Sequence, residues 1–283
     1  MPLYQGVHGD EVVEPDGVGE EVCPVDLERQ GQIGEAGSIL HDDPRLVGRI
    51  GGLELHNEIS AQQASRKKWS HVDYLTSLIA GEAASRWDRS IQRRIILARF
   101  PVIKSLEQFR WSWPKTINRP AIQNLFHLKF ISNKENVIFI GGVGLGKSHL
   151  ATAIGYQVCL KGHSVLFTTA IDVINAMSVA QAAGNLKNEL KKYLRPELLV
   201  LDELGFLPID KTGADLLFQV ISYRYERGSI IVTSNRVFKH WPEIFNNDST
   251  LTSALLDCLL HHSETILIEG NSFRMKDRIE ALN

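Results

Sequence analysis

The sequence predicts an α/β fold: a doubly wound parallel sheet of five strands, preceded by a small basic helical domain. Three observations carry this reading. From Asn136 onward, short β-branched runs alternate with stretches of helical period. The runs are almost continuously apolar, as parallel strands covered on both faces are. Charge is also divided unevenly along the chain. The formal net charge is only −2, yet residues 1–60 hold 13 acids and 3 bases, a net of −10. The remainder holds 20 acids and 28 bases, a net of +8, which suits a polyanionic partner.

The first 60 residues carry ten glycines among their acids and show no sustained period. Residues 1–62 therefore read as disordered, or as an extension foreign to the rest of the chain. Residues 63–130 read as the basic helical region. Between Arg66 and Lys134 there are 14 Lys and Arg against 4 Asp and Glu. Trp69, Val72, Leu75 and Ile79 repeat at helical spacing, as do Trp87, Ile91 and Ile95. Ser70 is placed to cap the first of two helices, and Pro101 ends the second. The stretch FRWSWPKTINRP reads as an extended linker.

Residues 131–283 carry the alternating pattern. The strands are expected at 136–140, 164–168, 198–202, 229–233 and 265–269, with helices at 147–160, 171–183 and 213–226. Between the first strand and the first of these helices lies GGVGLGKS. Gly141, Gly146, Lys147 and Ser148 fit G-x-x-x-x-G-K-[ST], a loop whose backbone N–H groups cradle phosphate. Gly141, Gly142, Val143, Gly144, Leu145, Gly146, Lys147, Ser148 and His149 are the candidate nucleotide-binding residues. The Lys147 ammonium can reach the β- and γ-phosphates, and the Ser148 hydroxyl can ligate Mg2+. GVGLG lacks the spacing of a dinucleotide fingerprint.

A phosphate loop needs a second carboxylate site. The strand LLVLDE supplies one, with Asp202 for the metal and Glu203 to polarise an attacking water. The next strand runs into Asn235, which can hydrogen-bond the γ-phosphate or that water. Lys147, Glu203 and Asn235 are thus the candidate catalytic residues, Ser148 and Asp202 the candidate metal ligands, and ATP with Mg2+ the cofactors.

These segments, in this order, resemble the AAA+ ATPases with P-loop NTPase folds, and more narrowly the IstB-like transposition helpers, relatives of DnaC-like helicase loaders. The resemblance runs from about Lys67 to Lys276 and includes GGVGLGKSHLATAIG, LRPELLVLDELGFLPID and IEGNSFRMK. It implies an ATP-hydrolysing helper that assembles with itself on double-stranded DNA and works with a cognate transposase. A helicase loader shares the same nucleotide motifs. The family carries arginine where this chain has Cys258, a residue that in AAA+ oligomers reaches the neighbouring subunit's γ-phosphate. Either turnover is slow, leaving an ATP-gated DNA scaffold, or Arg224, Arg227 or Arg236 substitutes. Arg274 matches the family's C-terminal basic motif.

Arg86, Arg89, Arg93 and Arg94 lie within about two helical turns and are candidates for phosphate contacts on DNA. Lys187, Lys191 and Lys192 form a second basic cluster. No base-reading motif is evident. Cys23, Cys159 and Cys258 are too few and too scattered for a disulfide framework or a zinc site. No apolar run approaches the ~18 residues of a membrane span. The expectation is a cytoplasmic protein with no membrane partner.

Overall fold

The computed structural model describes residues 61–275; the expectations for 1–60 and for 276–283 lie outside them. The chain divides into two units, Met1–Leu78 and Ile79–Asn283. Helix α1 (His71–Ala98) begins in the first and ends in the second, and Ser70 caps its start as expected. Asp73 N–H donates to Ser70 Oγ (3.1 Å) and Ser70 N–H donates to Asp73 Oδ2 (3.2 Å), a reciprocal box that satisfies two otherwise orphaned donors. Two helices were expected here, and one helix of 28 residues forms instead. The Ala80–Ala84 stretch holds no proline, and its single glycine costs only ~1 kcal/mol, too little to break a helix.

In the second unit, β1 (Thr116–Ile117), α2 (Arg119–Leu125) and α3 (Lys129–Ser132) precede the sheet proper. Then follow β2 (Asn136–Gly141), α4 (Lys147–Leu160), β3 (Val165–Thr169), α5 (Ala170–Ala182), α6 (Leu186–Leu194), β4 (Leu198–Leu204), α7 (Lys211–Arg224), β5 (Ser229–Ser234), α8 (Trp241–Ile244), α9 (Ser249–Leu260) and β6 (Ser263–Glu269). The sheet order is β1-β6-β2-β5-β4-β3. All five expected strands form and pair in parallel. The sheet is nonetheless six-stranded and mixed, because β1 adds antiparallel to β6 at the edge. The FRWSWPKTINRP stretch is therefore a linker with a strand inside it.

Alternate strand residues feed two cores. Val137 and Phe139 of β2 face Leu150, Ile154 and Val158 of α4, whereas Ile138 and Ile140 join Val173 and Met177 of α5 and Leu217 of α7. Burial on both faces is why the strands read as unbroken apolar runs. The amino-terminal ends of β4 and β5 are tied by Arg224, which is 1% exposed. Its guanidinium donates to the carbonyls of Tyr193 (2.7 Å), Pro196 (2.8 Å), Glu197 (3.1 Å) and Ser229 (2.8 Å). No carboxylate pairs with it among the described residues, and burial brings its pKa down to about 10.

Replacing this group removes four hydrogen bonds to carbonyls, of which Glu197 O keeps another donor, Ser229 N–H at 3.1 Å. Arg224→Met is expected to lower unfolding free energy by about 3 kcal/mol or more. Arg224→Lys is expected to recover only part of it, since an ammonium lacks the planar fork. Denaturant midpoints of the two variants check both.

Candidate functional site

The carboxyl ends of β2, β5 and β4 lie side by side and carry the expected motifs. The chain leaves β2 at Gly141 and enters α4 at Lys147, with Gly146 as the helix N-cap at φ +87. No side chain caps α4, so its first N–H groups face the loop without a side-chain acceptor. That is the arrangement that favours an anion. Gly146 needs its glycine twice over, for its positive φ and because a Cβ there would stand 2.6 Å from the Phe109 ring. Gly141 answers a different constraint: a Cβ would sit 2.2 Å from the Ile268 carbonyl oxygen of β6. Within the loop, Val143 is exposed and the Leu145 side chain is buried in the core, so Leu145 can offer a ligand only its backbone.

Lys147 is 9% exposed, and its Nζ donates to Gly142 O at 2.7 Å. Burial holds its pKa below the ordinary lysine value, the Asp202 charge opposes that shift, and the Arg274 charge adds to it. Ser148 Oγ donates to Asp202 Oδ1 at 2.8 Å, joining the phosphate loop to the acid strand. Glu203 is exposed at φ +61, and Asn235 is half-buried with an Oδ1 that has no hydrogen-bond partner.

Beside the loop lies a cavity of about 640 Å³. Gly144 to His149 form one wall; Phe109, Arg110, Trp113, Phe273 and Arg274 contribute to the others. His149 Nε2 donates to Ser105 O (2.9 Å) and its ring meets Phe109 edge-on. Trp113 donates to Asn271 O (2.9 Å) and stacks edge-on with Phe273. Sequence reasoning missed these aromatic walls. The signal was the crowding of aromatic and basic residues in FRWSWP, which a linker does not need.

The candidate DNA contacts lie elsewhere. Arg86 and Arg89 share Glu82 at 2.7 and 3.3 Å, Arg93 is exposed, and half-buried Arg94 donates to Ser90 Oγ. Lys187, Lys191 and Lys192 are exposed on α6, with Lys192 paired to Glu189 at 2.5 Å. Cys258 is half-buried on α9, and burial followed by the Asp257 charge pushes its thiol pKa up. Of the three arginines expected as substitutes for the missing cation, Arg224 is excluded, because it is buried and both its terminal nitrogens are bonded to carbonyls inside the fold. Arg227 and Arg236 are exposed, Arg236 lying 3.7 Å from Glu243. No helix among the described residues is long and apolar enough to cross a membrane.

Known proteins resemble the chain in sequence and in fold. The ATP-binding protein of insertion sequence IS5376 from Geobacillus stearothermophilus is 38% identical over 218 residues, covering 77% of this chain and 86% of that one. The ATP-binding protein of insertion sequence IS21 from Pseudomonas aeruginosa is 38% identical over 229 residues, covering 81% and 86%. AMPPCP-bound DnaA from Aquifex aeolicus shares the fold alone, at 23% identity and a TM-score of 0.51, over 65% of this chain and 56% of that one. Residues 49–281 match the IstB-like ATP binding protein family, a match that begins inside the acidic segment and spans the whole α/β domain. The chain belongs to the family of IstB-like ATP-binding proteins.

Proposed function

We propose that the chain binds ATP with Mg2+ at the α4 N-terminus, hydrolyses it slowly, and serves insertion-sequence transposition as a DNA-binding helper. In this reading residues 131–283 are the ATP domain. Residues 63–130 supply the basic region for double-stranded DNA and for assembly with further copies of the chain, and a cognate transposase is the partner. The observation that carries the reading is the Ser148–Asp202 hydrogen bond, which brings the two nucleotide motifs to one point.

A hydroxyl and a carboxylate are hard oxygen donors, and a pair of them 2.8 Å apart fits Mg2+. The ion would neutralise charge developing on the β- and γ-oxygens. Lys147 exchanges the Gly142 carbonyl for phosphate oxygens, a gain for an ammonium that burial disfavours. Glu203 takes the proton of the attacking water, and Asn235, with its unpartnered amide oxygen, orients that water. Arg274 brings a second cation to the cavity. Cys258 brings none, and the burial of Arg224 removes one alternative, which favours slow turnover.

Three expectations follow. Lys147→Ala loses nucleotide binding in a fluorescence titration, whereas Glu203→Gln keeps binding and loses ~10²–10⁴-fold in turnover. Cys258→Arg raises DNA-stimulated phosphate release, by up to ~10³-fold if the arginine acts across subunits; an unchanged rate removes the missing-cation account. The logarithm of duplex affinity falls linearly with log salt, and Arg93→Ala and Lys191→Ala each lower the magnitude of that slope by about 1, read by fluorescence anisotropy.

A further inference from the structure

The β4–β5 ladder slips once. Leu201 pairs with Val232 and Leu204 with Ser234, so two residues of β4, Asp202 and Glu203, stand opposite Thr233 alone. A bulge of this kind leaves a backbone N–H without its ladder acceptor and re-aims the side chains it carries. Here the gap is closed by one side chain. Glu203 N–H donates to Thr233 Oγ1 at 3.0 Å, and the same hydroxyl donates its proton to Asp202 Oδ1. Thr233 is 1% exposed, so water cannot stand in for it. Glu203 holds φ +61, a left-handed conformation that a non-glycine residue keeps only when its surroundings enforce it.

We infer that Thr233 is a positioning residue for the carboxylate pair: its one hydroxyl fixes the backbone that aims Glu203 and the carboxylate that Asp202 presents to the metal. The inference rests on the hydrolysis reading for Glu203 but not for Asp202. The methyl group has no polar partner to serve, so the hydroxyl is the operative part. Ser234, the next residue, turns its own hydroxyl to Leu204 O (2.8 Å) and cannot replace it. Thr233 thereby passes any shift of β5 to both acids at once.

The test uses the full chain with Thr233→Val, which exchanges hydroxyl for methyl at constant shape, and Thr233→Ser, which keeps the hydroxyl. Two quantities are read: steady-state ATP turnover, and the Mg2+ concentration that half-saturates binding of a fluorescent ATP analogue. Thr233→Val is expected to lower kcat ~10–100-fold with KM within about 3-fold, and to raise the Mg2+ half-saturation ~10-fold. Thr233→Ser is expected within about 3-fold of the parent in both. A Val variant with parental kcat and Mg2+ dependence overturns the inference, and so does a Ser variant as impaired as Val. If Val does not fold, judged by thermal unfolding, Thr233→Ala carries the same expectations. If the parent itself does not turn over ATP, the hydrolysis reading fails separately, and the Mg2+ titration alone decides whether Thr233 sets Asp202.

Discussion

Asp202 Oδ1 accepts hydrogen bonds from Ser148, in the first turn of α4, and from Thr233, on β5. Three elements from separate parts of the chain are thereby referenced to one buried carboxylate oxygen, and the geometry of the site depends on it. The strand order explains why this is possible. β5 lies between β2, which launches the phosphate loop, and β4, which carries the acids, so the loop and the acids meet across a single intervening strand. A carboxylate 6% exposed tolerates that position because two hydroxyl donors satisfy it.

The opposite end of the sheet is fixed by different means. There a guanidinium serves as a hub for carbonyls at and just before the starts of β4 and β5. One end thus uses an acceptor at the centre and hydroxyl donors around it; the other uses a donor at the centre and carbonyl acceptors around it. Both hubs are buried, and each ties together elements that are distant in the chain.

Much of this was legible in the residues. The five parallel strands announced themselves because burial on both faces demands unbroken apolar runs, and the α4 start followed from the spacing of Gly146, Lys147 and Ser148. β1 did not announce itself. Two residues carry no period, and Thr116–Ile117 owes its strand geometry to Glu269 and Ile268, some 150 residues away. The aromatic cavity walls were hidden for the same reason: Phe109 and Trp113 become walls only when their segment returns beside the phosphate loop. Arg224 in SYRYERG was indistinguishable from its exposed neighbour Arg227, because the sequence gives a charge but not the four carbonyls that surround it. Asp202 and Glu203 were legible as a pair. The bulge that lets consecutive strand residues work together was not, since it arises from register with β5.

The bare amino-terminus of α4 has a thermodynamic consequence. A helix whose first N–H groups lack a side-chain acceptor is incomplete by the hydrogen bonds that an anion can supply. Bound nucleotide then acts as the missing part of the helix, and its binding energy is added to the folding energy of the domain. At a hundredfold excess over its dissociation constant that linkage is worth about 2.7 kcal/mol, a sizeable share of the margin by which a domain of this size is folded. The melting temperature of the chain therefore reports the occupancy of the site directly.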